Sequence, residues 1–196
     1  MISVAKIYGL VLSGGKSTRM GKDKGLIAYH GIPQREYLYH LLEKVCTKTF
    51  ISIRKEQDTD IPSTFNSIID EDVYRGPFNG MLSAHKKHLD VAWLVLACDL
   101  PLIDERSLQE LIAARQENAY ATAFAQTDNP LPEPLCAIWE PRALKAAIPY
   151  LEEGNGSCPR KYLIKNNTHL VFPENADVLI NANSELEYRE VLTKLT

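Results

Sequence analysis

Eight consecutive apolar residues, Val91-Ala92-Trp93-Leu94-Val95-Leu96-Ala97-Cys98, leave this chain few architectures. A strand wetted on one face alternates apolar with polar residues. A run without alternation needs cover on both faces, which a parallel sheet flanked by helices provides. The run is far shorter than the ~20 residues of a bilayer span, so it predicts a central strand. It ends in Asp99-Leu100-Pro101. Ligands of open α/β sheets collect at the carboxyl ends of the strands, so Asp99 is expected at a site.

A second apolar run, Lys6 to Leu12, leads into Ser13-Gly14-Gly15-Lys16-Ser17-Thr18-Arg19-Met20-Gly21-Lys22-Asp23-Lys24. Glycines let backbone N–H groups approach a ligand without an intervening Cβ, and Lys16, Arg19, Lys22 and Lys24 concentrate positive charge there. This predicts a polyphosphate cradle at the carboxyl end of the first strand. Leu38, Leu41, Leu42 and Val45 recur at helical spacing, predicting a helix from Gln34 to about Lys48, and Thr49 to Ile53 reads as the second strand. The opening unit is therefore βαβ.

Further along, a polar surface connection is expected from Lys55 to Phe65, then a brief strand at Ser67–Ile69 ending in Asp70-Glu71-Asp72. Asn79 is expected to cap a helix from Gly80 to about His88, and Asp104 one from Glu105 to Asn118. Ala119–Ala125 and Pro134–Trp139 read as a hairpin at one edge of the sheet. Helices follow at Arg142–Leu151 and Pro159–Lys165, strands at Thr168–Phe172 and Asp177–Ile180, and a last helix capped by Ser184 runs to Leu195. Strands alternating with helices define the α/β class with a mainly parallel sheet.

With 196 residues, 45% hydrophobic and 24% charged, the chain suits one domain with one core. A net charge of −3 gives no footprint for nucleic acid, and local positive charge on a mildly acidic body favours a small anionic ligand. The N-terminus shows neither the basic nor the separate apolar segment of a signal peptide, so a cytoplasmic location is expected. Cys46, Cys98, Cys136 and Cys158 form no C-x-x-C pair and read as buried free thiols. His85 and His88 are spaced i, i+3 but flank two lysines, which speaks against a metal pair.

Two familiar phosphate loops fail on spacing. The P-loop needs a glycine five positions before Gly15, where Leu10 stands, and Gly14, Gly15 and Gly21 do not make G-x-G-x-x-G. A carboxylate at the end of a buried strand could cap the next turn, but beside a phosphate loop Asp99 also suits Mg²⁺. Alternating Asn181 and Asn183 could face one ligand or serve as turn and capping residues ahead of Ser184.

Leu12-x-Gly-Gly-x-Ser-x-Arg19-Met20-Gly21-x-Asp23-Lys24 resembles the signature of the MobA-like nucleotidyltransferases. Gly76-Pro77-x-x-Gly80, Asp99-x-Pro101, Glu133-Pro134-Leu135 and Ile180-Asn181-Ala182-Asn183 follow in the family's order. The Asp-Lys ending and the late Asn-x-Asn are most like the molybdenum cofactor guanylyltransferases. The resemblance implies a three-layer Rossmann-like fold over 1–196 with an antiparallel edge element, its nucleotide half at about 1–104 and its acceptor half at about 105–196. It implies GMP transfer from GTP to molybdopterin with release of pyrophosphate, and transient contact with molybdopterin-handling proteins or apo-molybdoenzymes.

Nucleotide contacts carry over to Leu12, Ser13, Gly14, Gly15, Lys24, Asp70 and Asp99, charge neutralisation to Arg19 and Lys24, Mg²⁺ ligation to Asp99, and the acceptor side to Asn181 and Asn183. Two departures stand out. Ser13 replaces a usual alanine, and where many relatives carry a nucleotide-contacting asparagine this chain offers Ser52 or Arg54. A cytidylyltransferase, a transferase for another phosphorylated acceptor, and a nucleotide-binding module without chemistry are the alternatives.

Overall fold

The computed structural model describes residues 5–15, 23–182 and 184–195. Seven strands form one sheet in the order β3-β2-β1-β4-β6-β5-β7, namely β1 Ile7–Leu12, β2 Lys48–Ile53, β3 Ser67–Ile69, β4 Ala92–Ala97, β5 Ala121–Phe124, β6 Cys136–Trp139 and β7 Thr168–Val171. β6 runs antiparallel to β4 and β5, while every other pairing is parallel. The β5–β6 hairpin thus forms on one flank, but β7 adds outside it, so β6 is an inner strand.

β4 is the fourth of the seven strands and is buried along its whole length, as its unbroken apolar run requires. Leu94 and Leu96 pack on one side with Leu38 and Leu42 of α1 (Gln34–Val45) and Leu108 and Leu111 of α3 (Glu105–Ala113). Trp93 and Val95 face the other core, with Met81 of α2 (Pro77–Lys87), Leu144 of α4 (Pro141–Glu152) and Tyr162 of α5 (Pro159–Lys165). These are the two covered faces of a three-layer α/β fold. Among the described residues, no helix is long and apolar enough to cross a membrane.

Several boundaries differ from the sequence expectations. α2 begins at Pro77, not Gly80, because proline is pre-organised for the first helical position. Gly76 supplies the turn with φ 65°. Asn79 is inside α2, where its side chain accepts from the Tyr74 N–H and donates to Asp72. Asp104 does cap α3, accepting from the Ser107 N–H at 2.8 Å.

The strand expected at Asp177–Ile180 is instead a 3-10 turn, Ala176–Leu179, started by the Asn175 side chain, which accepts from the Asp177 N–H. It buries Val178 and Leu179 in the core. Ser184 precedes α6 (Glu185–Leu195) and accepts from the Glu187 N–H. All four cysteines are free thiols, but Cys158 is exposed and Cys46 only partly covered, so the expected burial holds for Cys98 and Cys136.

Candidate active site

Because β1, β2, β3 and β4 are parallel, their carboxyl ends share one edge, and there they enclose a cavity of about 630 Å³. Leu12, Ser13, Gly14, Gly15, Lys24, Asp70 and Asp99 all line it. Seven residues selected from sequence, spread over 88 positions, therefore meet at one site. Arg19 and Asn183 lie outside the described residues. Asn181 is half-buried and is not part of the cavity wall. Its amide donates to the Leu179 carbonyl at 3.4 Å, while the neighbouring Ala182 N–H donates to the Asp99 carbonyl.

The strand-1 loop is held from both sides. The Ser13 N–H continues the ladder by donating to the Ser52 carbonyl. Arg54 Nη1 donates to the Gly14 carbonyl at 2.8 Å, and the Arg54 Nε donates to Glu56. At Gly14 a Cβ would sit 2.5 Å from Asp70 Oδ2, so only glycine allows the loop to lie this close to β3. Ser52 Oγ donates to Asp70 Oδ1 at 2.6 Å. Of the two candidates for the family's asparagine position, Ser52 thus braces Asp70 and Arg54 braces the loop, and both line the cavity.

Charge is divided along the cavity. Asp70 and Asp72 occupy the β3 end, and burial pushes the Asp70 carboxyl up to about 6 despite the Ser52 hydrogen bond and the Arg54 charge. At the β4 end, Lys24 Nζ stands 4.0 Å from Asp99 Oδ2, the two side chains being 21% and 26% exposed. Burial raises the Asp99 carboxyl and the Lys24 charge opposes that rise. Beyond Asp99, Glu133 pairs with Arg160 at 2.6 Å, and Leu135 closes the wall.

Asp23, Asp72 and Tyr74 are cavity residues to which the sequence reading gave no role, and Asn79, expected there only as a helix cap, also lines the wall. The acidic run Asp70-Glu71-Asp72 and the Asp23-Lys24 pair carried a signal for two of them. Among the described residues, no group of three or more His, Cys, Asp and Glu side chains could hold a metal ion by itself. Asp99 offers one hard carboxylate donor at the wall of the cavity, a donor of the type that suits a cation shared with bound phosphates.

This arrangement defines a nucleotidyltransferase fold, with a glycine loop after the first strand and an aspartate after the fourth. Residues 9–169 match the family model of the MobA-like NTP transferase domain, and the chain belongs to that family. Over 191 residues it is 37% identical to the molybdenum cofactor biosynthesis bifunctional protein of a Synechocystis species, covering 97% of this chain and 55% of that protein. The chain thus spans about half the length of that relative.

A probable molybdenum cofactor guanylyltransferase of Flavobacterium johnsoniae is 33% identical over 145 residues, 70% of this chain and 72% of that one. The crystal structure of molybdopterin-guanine dinucleotide biosynthesis protein A from Archaeoglobus fulgidus shares the fold. Its TM-score is 0.78 at 18% identity, over 96% of this chain and 98% of that one.

Proposed function

We propose that this chain transfers GMP from GTP to molybdopterin, releasing pyrophosphate. The reading is carried by the convergence of the Gly14–Gly15 loop, Lys24 and Asp99 in one cavity, and the names of the guanylyltransferase relatives support the choice of nucleotide and acceptor. The terminal phosphate oxygen of molybdopterin attacks the α-phosphorus of GTP in line. A new P–O bond forms as the bond to the β-phosphate oxygen breaks, and pyrophosphate leaves with that electron pair. No covalent enzyme intermediate is needed.

One anion attacks another here, so the protein's task is charge neutralisation and alignment. Lys24 supplies a cation beside the phosphates, Arg19 a second from the signature loop, and Gly14 and Gly15 supply backbone donors. Leu12 and Ser13 carry the strand that seats the nucleotide, and Asp70 accepts hydrogen bonds from it. A divalent cation such as Mg²⁺, held by Asp99, would provide Lewis-acid neutralisation of phosphate charge. The acceptor side falls in the half beyond about residue 104, where Asn181 and Asn183 supply neutral donors and acceptors, and hand-over to apo-molybdoenzymes follows from the nature of the product.

Thermal-shift titration with GTP, CTP, ATP and UTP in the presence of Mg²⁺ tests the nucleotide, because a bound ligand raises the melting temperature by mass action. GTP alone should raise it. Stabilisation by CTP alone would replace the guanine reading with a cytidylyl one. Pyrophosphate release that requires both GTP and molybdopterin is the expected activity, and its absence despite GTP binding would leave a binding module.

A further inference from the structure

Behind the cavity wall, the polar stretch Lys55–Asp60 forms a 3-10 turn whose Gln57 is buried, at 4% exposed. Its side chain makes three hydrogen bonds, all of them to the site. Nε2 donates to the Ser13 carbonyl at 3.2 Å and to Asp23 Oδ2 at 2.9 Å, while Oε1 accepts from the Arg54 N–H at 2.9 Å. Asp23 Oδ1 in turn accepts from the Gly25 N–H at 2.9 Å, capping the 3-10 turn Lys24–Leu26 in which Lys24 sits. One amide therefore joins the residue before the glycine pair to the residue before Lys24.

A trans peptide is planar, with its C=O and the following N–H pointing in opposite directions. The Ser13 carbonyl is drawn toward Gln57, so the Gly14 N–H points away from it. The Gly14 carbonyl is drawn toward Arg54, so the Gly15 N–H points away in turn. Neither N–H has a hydrogen-bond partner among the described residues, and both glycines line the cavity. Gln57 itself does not line it.

We infer that Gln57 is a positioning residue: with Arg54 it fixes the two peptide planes that present the Gly14 and Gly15 N–H groups to the triphosphate, and through Asp23 it seats Lys24. The inference rests on the proposed GTP reading of the cavity. A purely structural glutamine would need partners anywhere in the core. This one spends its donors on the two ends of the signature loop, 44 and 34 positions away in sequence.

The test is steady-state kinetics of Gln57→Met, which keeps the side chain's approximate size and removes its three hydrogen bonds. kcat should fall at least tenfold and KM for GTP rise at least threefold, while KM for molybdopterin stays within about twofold, the range expected when preorganised donors to a reacting phosphate are lost. A KM for GTP within twofold of wild type overturns the inference, including the case where kcat alone falls, which a smaller folded fraction would also produce.

If Gln57→Met fails to fold, Gln57→Glu carries the same measurement, since it retains the acceptor for Arg54 and loses both donors. Amide hydrogen exchange at Gly25 gives a readout without substrate. Protection should drop in the variant, and unchanged protection counts against the staple. Wild-type protein that does not turn over GTP and molybdopterin would refute the proposed function, leaving the exchange result to decide the role of Gln57.

Discussion

Asp70 holds its site at a cost in stability, and Asp70→Asn should expose it. Burial raises its carboxyl from 3.8 to about 6, which means the folded chain binds this proton more tightly than the unfolded chain does. The group's contribution to stability is therefore full below about pH 4 and is lost as the pH rises through about 6. At 1.36 kcal/mol per pKa unit the shift corresponds to roughly 3 kcal/mol, of which about half, ~1.5 kcal/mol, survives the screening of a partly exposed side chain.

Asparagine keeps the acceptor for Ser52 Oγ and removes the charge. For a chain of this size ~1.5 kcal/mol moves the melting temperature by about 3–6 °C. Melting followed by circular dichroism should place Asp70→Asn above wild type by that amount at pH 8, with the gap closing as the pH is lowered toward 4. GTP should bind the variant about tenfold or more weakly, because a charged hydrogen-bond acceptor is lost. A variant less stable than wild type at pH 8, or a difference that does not change with pH, would refute the argument that an ionised, desolvated carboxylate is held here.

The other site residues give further tests. Lys24→Ala and Asp99→Ala should each lower pyrophosphate release about a hundredfold, equivalent to ~3 kcal/mol of barrier, with melting temperatures near wild type. Near-normal turnover in either would remove it from the chemistry. In Gly80→Ala, the new Cβ would lie within clashing range of Ser52 Oγ and 2.9 Å from Leu12 Cδ2, both in the cavity wall. Overpacking of this kind costs about 1–3 kcal/mol, and displacing Ser52 loosens Asp70, so urea denaturation should show lost stability together with a raised KM for GTP.

What was legible in the sequence was whatever one segment decides alone. The unbroken run Val91–Cys98 had to be a doubly covered strand, and Asp104 had to cap the helix that follows. The carboxyl-end rule then put the Gly14–Gly15 loop and Asp99 on one edge, and the family resemblance added Asp70. Features decided by distant partners were not legible. Nothing in Lys55-Glu56-Gln57-Asp58 marks Gln57, since its partners come from Ser13 and Asp23. Asp177–Ile180 is apolar enough for a strand, but the Asn175 side chain caps a turn there. At α2, Asn79 looked like a cap because asparagine favours that position, while Pro77 and the positive φ of Gly76 set the true start.

The single reversed strand explains why one motif breaks the pattern of the others. Site residues on the parallel strands come just after the strand: Ser13 and Gly14 after β1, Arg54 after β2, Asp70 after β3 and Asp99 after β4. Glu133-Pro134-Leu135 comes just before β6. Since β6 is antiparallel to β4, with Leu96 opposite Cys136, its entry point lies at the same edge as the exit of β4, and the Ala97 N–H donates to the Leu135 carbonyl there. The chain that leads into β6 therefore brings Leu135 to the cavity wall and sets the Glu133–Arg160 pair beside Asp99. A parallel β6 would have sent that segment to the opposite edge of the sheet. The antiparallel strand is thus how the segment ahead of β6 reaches a cavity otherwise lined by the ends of the first four strands and the segments that follow them.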